Sequence, residues 1–222
     1  MEIMQNELGD QRNNCSLGLL IMECVQNIDL DNKLTAIKHN LEASLREKYA
    51  QTTRSELKST HPMDIYVSYY KRFGYTYHVL PQIESIVKGK TIPDVSPLVE
   101  AMFIAELKNM LLTAGHDFDK IKTPLRLMLS TGQESYLSLS GRDVTAVSGD
   151  FMLSDQRGVI SSILRGPDLH AAITEQTNRV LYTVYAPLGV EQQLIFQHLN
   201  DIESYVRAFS ERAVTSFKHV FD

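Results

Sequence analysis

The sequence predicts an α+β domain in which a two-sheet, sandwich-like β core is joined to a cluster of short helices and a long C-terminal amphipathic helix. Three observations predict it. An aliphatic run, "SLGLLIMECV", spans Ser16–Val25; short apolar runs broken by glycines fill residues 125–187; and apolar residues step by three or four from Val190 to Val220. No repeat or low-complexity linker divides the 222 residues, so one domain covers 1–222, with a strand–helix lead-in over 1–60, a core over 66–187 and the terminal helix over 190–220.

In chain order, the first strand ends at the polar break "QNIDLDN", and Asp31 is placed to cap a helix in which Leu34, Ile37, Leu41, Leu45 and Tyr49 share a face. Residues Gln51 to His61 read as a polar connection. Three short helices follow: "DIYVSYYKRFG" stopped by Gly74, "PQIESIVKG" closed by Gly89, and a third with Ser96 as N-cap, Pro97 at its first position and Gly115 just past its end. Leu125, Leu127 and Leu129 then alternate as a strand, "STGQ" turns the chain, and Tyr136, Leu137 and Leu139 continue it. Further strands are expected at "VTAV", "FML", "GVISSIL" and "RVLYTVY". The final stripe, Ile195, Leu199, Ile202, Val206, Phe209, Ala213, Phe217 and Val220, reads as one helix that docks on its own domain or mediates a homodimer.

Composition excludes several classes. Hydrophobic residues are 43% and charged residues 22%, which suits a packed domain and argues against disorder. The longest apolar run is too short to span a bilayer, and the opening, with Glu2, Gln5, Asn6 and Glu7, lacks a basic, then apolar leader, so a cytoplasmic protein without membrane association is expected. Cys15 and Cys24 are expected as buried free thiols. A net charge of −5 disfavours broad binding to phosphate backbones, so no DNA partner is expected, although Lys71, Arg72, Lys88, Lys90, Lys120, Lys122, Arg126, Arg157 and Arg165 cluster in mid-chain and can form a local basic face. No phosphate loop, dinucleotide fingerprint, nucleophile elbow or zinc-ligand spacing is present, so neither a cofactor nor a metal is expected.

Two junctions carry the ionisable residues that remain. "LLTAGHDFDKIKTPLRL" holds His116, Asp117 and Asp119 around Phe118, and "ILRGPDLH" holds Arg165, Asp168 and His170. His116 can orient a substrate or a water, or simply sit at a helix C-terminus, where the macrodipole favours it. Asp168 can accept from an amino group or hydroxyl, or serve the turn after Pro167.

Taken together, "SYYKRFG" (Ser68–Gly74), "LPQIESIVKGKTIPDVSPLVEAM" (Leu80–Met102), "GHDFDKI" (Gly115–Ile121), "ILRGPD" (Ile163–Asp168) and "TEQTNRVLYTVYAP" (Thr174–Pro187) resemble the editing and tRNA-binding domain, the fused third and fourth modules, of the phenylalanyl-tRNA synthetase beta subunit. The resemblance covers about Tyr66 to Pro187. It implies a sandwich-like α+β domain that binds tRNA or aminoacyl-tRNA and clears a wrongly attached tyrosine. Such clearing is needed because an apolar pocket rejects an added hydroxyl poorly. By this resemblance His116 and Asp168 are the catalytic pair, His116 positioning the ester or its attacking water and Asp168 reading the amino acid. Tyr70, Arg72, Phe118, Ser161, Ser162 and Arg165 then bind the substrate, with Phe73 and Tyr185 as further candidate walls.

The sequence departs from the family in three ways. Ser161 and Ser162 stand where the synthetase has a glycine pair, Asp168 is the nearest carboxylate to a family glutamate, and Pro187 leads into the terminal helix without the family's threonine-bearing segment. Catalytic and anticodon modules are also missing, so this chain is not expected to charge tRNA. The readings are a trans-editing hydrolase, a non-catalytic module for RNA or an amino-acid-like ligand, and a small-molecule enzyme on a borrowed scaffold.

Overall fold

The computed structural model describes residues 4–6 and 14–221; Glu2 and Glu7 fall outside them. Strand β1 (Met4–Asn6) precedes β2 (Cys15–Glu23), buried along most of its length as suits an aliphatic run covered on both faces. Cys15 is buried, but Cys24 is exposed, because β2 ends at Glu23 and Cys24 turns away with φ 57°. Helix α1 (Lys33–Tyr49) is capped by Asp29, not by Asp31: the Asp29 carboxylate accepts from the amides of Lys33 and Leu34 at 3.1 and 3.0 Å. Left-handed Asn32 bends the chain so that the earlier acid meets the open amides.

The polar connection contains a short helix α2 (Arg54–Lys58), opened by a Thr53–Glu56 capping box. Helices α3 (Met63–Arg72) and α4 (Val79–Val87) end at Gly74 and Gly89, which adopt φ of 78° and 95°. Helix α5 (Pro97–Asn109) starts at Pro97 but stops before Gly115: Met110 takes the left-handed conformation and its amide closes on Glu106 O at 2.7 Å. Gly115 and His116 therefore lie in a strand, β3 (Thr113–Asp117), and His116 is not a helix-terminal residue.

Strand β4 (Leu125–Leu129) forms as expected. Beyond "STGQ" the chain leaves its sheet, because β5 (Ser135–Leu137) pairs with β6 (Asp143–Thr145) as a separate hairpin. Strands β7 (Phe151–Ser154), β8 (Val159–Ser162), β9 (Gly166–Pro167) and β10 (Val180–Pro187) follow. The terminal stripe is two elements rather than one helix. Helix α6 (Gln192–Phe209) ends at Ser210, and β11 (Val214–Phe221) pairs antiparallel with β2. Ser210 anchors the break, its hydroxyl accepting from the Gln26 amide at 2.9 Å. A bulge between Thr215 and Phe217 adds one residue to the strand; Phe217 and Val220 both lie beyond it, so their three-residue step puts them on opposite faces of the sheet.

One sheet has the order β1-β4-β7-β8-β9, antiparallel except for β1 beside β4; the other is antiparallel β11-β2-β10-β3. Every residue of β10 is buried. Tyr182 points to the helices and donates to Leu98 O of α5 at 2.7 Å, while Tyr185, three residues on, points to the first sheet and bonds Ser161. Ile195, Leu199, Ile202 and Val206 of α6 are buried within the chain, so the stripe offered for dimerisation is occupied by its own domain. Among the described residues no helix is long and apolar enough to cross a membrane.

The approach of α6 to β2 depends on Gly18, where an added Cβ would lie 2.6 Å from Ile195 Cγ2. Gly18→Ala is expected to cost about 1–3 kcal/mol through overpacking, read as a lower urea midpoint; an unchanged midpoint would mean that the helix shifts freely.

Candidate functional site

Strand β3 forms one edge of the second sheet, and the turn after β8 lies against it: the Asp117 amide donates to Ala171 O at 2.8 Å and the Asp168 amide to Ile160 O at 2.8 Å. Gly166, at φ 76°, lets this turn reverse sharply. Between the two segments is a cavity of about 460 Å³, closed on its other sides by Tyr70, Tyr75 and His78 from the α3–α4 region and by Met102, Phe103 and Glu106 from α5. Leu112, Ala114, Ile163, Leu164 and Ile173 make much of its surface apolar, and Tyr185 contributes an aromatic wall.

A few polar groups interrupt that surface. Glu106 is almost wholly buried; its Oε1 accepts from the Thr113 amide at 2.8 Å and its Oε2 lies 3.7 Å from His78 Nε2. Burial opposes the charged form of His78, but the adjoining Glu106 carboxylate more than offsets this and raises its pKa. Tyr70 donates to Ile163 O at 2.8 Å, and burial pushes its phenol up. Ser162 Oγ accepts from the Arg165 amide at 3.2 Å, and the Arg165 guanidinium lies over the Tyr75 ring at 5.5 Å.

The sequence-predicted residues are distributed unevenly about this cavity. Tyr70, Ser162 and Arg165 line it together. Ser161 sits behind the wall, fully buried and bonded to the Tyr185 hydroxyl. His116 is one layer deeper. In β3, Gly115 faces Met102 and Tyr182, so the next residue projects from the opposite face, and His116 Nε2 lies 3.4 Å from Ser161 Oγ. Its Nδ1 has no hydrogen-bond partner, and burial brings its pKa down to about 4, which makes the ring neutral at ordinary pH. Asp168 is buried at the turn, where its Oδ1 accepts from the Ala171 amide at 3.1 Å; burial raises its pKa.

The two segments are thus neighbours, but neither the imidazole nor the Asp168 carboxylate forms part of the cavity wall. Phe118 is buried beneath the Arg179 guanidinium, 4.8 Å from its ring, also outside the cavity. Arg72 stacks on Tyr69 at 4.6 Å and borders a different cavity, formed with Leu129 and Phe151. Phe73 packs beside Tyr69.

Sequence reasoning missed Glu106 and His78. The available signal was an acid within the apolar helix "PLVEAMFIAELKN", since a buried carboxylate demands compensation. Another cavity, of about 520 Å³, lies between residues 25–33 and 175–178, with walls drawn largely from turns that cap α1 and join β9 to β10. Among the described residues no three His, Cys, Asp or Glu side chains cluster as metal ligands.

No protein-family model matches the sequence, and no curated protein matches it as a relative. Among solved structures, the chain is similar to an N-terminal fragment of the phenylalanyl-tRNA synthetase beta-subunit from Pyrococcus horikoshii, with 13% identity and a TM-score of 0.47. The match covers 97% of this chain and 54% of that one, so this chain spans about half the length of that fragment. A likeness of this degree assigns no residue its role.

The burial of His116 has a thermodynamic consequence. Unfolded, the ring takes a proton near its ordinary 6.5, whereas folded it resists until about pH 4; the stability this neutral ring permits is full above that window and lost as pH falls through it. His198, held down to about 3 by burial, acts in the same direction, and Asp150, pushed up to about 6 by burial, acts in the opposite one. His116→Gln is therefore expected to remove on the order of 3 kcal/mol from the stability difference between pH 7 and pH 4 in urea titrations. An unchanged pH profile would contradict a neutral, buried ring.

Proposed function

We propose that this chain binds the aminoacyl end of an aminoacyl-tRNA in the cavity between β3 and the turn after β8. One observation carries the reading. Each of the five segments that resemble the synthetase domain contributes to the same cavity: Tyr70 from Ser68–Gly74, Val99 and Met102 from Leu80–Met102, Gly115 from Gly115–Ile121, Ile163 to Pro167 from Ile163–Asp168, and Tyr185 from Thr174–Pro187. Stretches far apart in sequence that share one wall are what a ligand site requires.

The cavity's size and aromatic, largely apolar surface suit a large side chain attached to an ester. RNA contacts, in this reading, are local. Exposed Arg165 borders the cavity, and exposed Lys71 and Arg72 lie on the same helix as Tyr70, whereas the chain as a whole carries −5 and repels a phosphate backbone. Binding without turnover is favoured over trans-editing by the position of His116, which has Ser161 and Tyr185 between it and the cavity. In such an arrangement His116 supports the wall and does not touch the ester.

The test uses one tRNA in charged and uncharged forms. The charged form is expected to bind more tightly, Arg165→Ala to weaken it by about tenfold, and ester loss to proceed at the protein-free rate. Equal affinity for both forms would overturn the aminoacyl reading. Accelerated ester loss with a mischarged tRNA would instead make the protein a hydrolase.

A further inference from the structure

Three other buried carboxylates, Glu100, Glu42 and Asp150, each have two close partners. Glu100 faces the Lys38 ammonium at 3.4 Å and takes the Val95 amide at 2.9 Å; Glu42 faces Arg46 at 3.4 Å and takes the Ile92 amide at 2.7 Å. Asp150 accepts from the Tyr69 hydroxyl at 2.7 Å and the Leu164 amide at 3.0 Å. Glu106 likewise takes one backbone amide, but its cationic partner is an imidazole and stands farther off. One of its oxygens has the Thr113 amide, and the other faces a histidine at 3.7 Å, longer than a hydrogen bond. It is also the one of these four carboxylates that forms part of the cavity wall.

A carboxylate held among apolar groups is costly until a cation or further donors reach it. We propose that Glu106 is the docking point for a primary ammonium group, so that the ligand is an aminoacyl ester with a free, protonated α-amine and N-blocked derivatives are rejected. The proposal rests on the aminoacyl reading above and adds which part of the ligand is recognised. An ammonium can approach Glu106 Oε2 beside the His78 imidazole, which stands 3.7 Å off, without displacing the Thr113 amide from Oε1, and its compact three-donor head suits a site that already has one donor in place.

Arg165, also at the cavity, has the opposite sign to Glu106 and is exposed. A ligand with an amine at one end and an ester and phosphate at the other therefore finds a complementary partner for each. The side chain between them meets Tyr70, Met102 and Tyr185.

The experiment compares one tRNA carrying phenylalanine or tyrosine with the same molecule after N-acetylation, bound to the full chain and to Glu106→Gln. The amide variant keeps an acceptor for the Thr113 amide and so preserves the tie between α5 and β3, which circular dichroism checks. The wild type is expected to bind the free-amine form at least about tenfold more tightly than the acetylated form, and Glu106→Gln is expected to bind the two alike. If both forms bind the wild type equally and more tightly than uncharged tRNA, the ammonium assignment is overturned while the aminoacyl reading stands. Discrimination that survives in Glu106→Gln also overturns the assignment. If neither charged form outcompetes uncharged tRNA, the aminoacyl reading fails and the assignment with it. The wild-type comparison is decisive even if the variant does not fold.

Discussion

The fold is organised by the burial of β10 on both faces. A strand whose eight residues are all covered must have a layer on each side, and its alternation assigns them: Tyr182 reaches α5, and Tyr185 reaches the first sheet. Its neighbours β2 and β3 inherit the same two environments. A residue paired with Tyr182, such as Gly115, belongs to the helical side, and one paired with Leu181, such as His116, belongs to the sheet side. The cavity opens where this sheet ends at β3, with both layers contributing to its walls.

Behind that wall, polar contacts fix α5, α6 and β3 relative to one another. Thr113 is the hinge of the network: its amide bonds Glu106, and its hydroxyl lies 2.6 Å from His198 Nε2. Asn109 approaches His198 Nδ1 at 3.2 Å and donates to Asp201 at 2.8 Å, which Lys108 meets at 2.9 Å. Because the donors and acceptors of the imidazole are satisfied, the buried ring locks geometry rather than straining it. Glu106 thus belongs to a stiff scaffold through one oxygen while the other is turned to His78, a second residue of the cavity wall.

The helices and most strands were legible because their signals are local. Gly74, Gly89 and Pro97 mark boundaries through backbone conformations that their neighbours cannot alter. Two boundaries were not legible. The helix before β3 ends at left-handed Met110, a residue with no such preference, and the terminal stripe crosses from helix to strand at Ser210 with no glycine or proline to mark the change. The site was legible as a set of segments but not as a set of side chains. Which of Gly115 and His116 faces the helices depends on pairing with β10, and a one-residue change in parity exchanges their environments. Glu106 was hidden for a different reason. Its looser pairing, with His78 at 3.7 Å, follows from what lies across the cavity, whereas Glu100, six residues earlier on the same helix, meets Lys38 from α1 at 3.4 Å.

Strand β11 closes one side of its sheet, and among the described residues no strand lies beyond it. A flat outer margin of that kind invites a foreign backbone to add itself, which is how many sheets begin to polymerise. Here the extra residue between Thr215 and Phe217 kinks the margin, and Lys218, drawn to Asn200 and Glu203 of α6, sets a charge on it. The bulge and the charge thus guard the molecule against unwanted self-association.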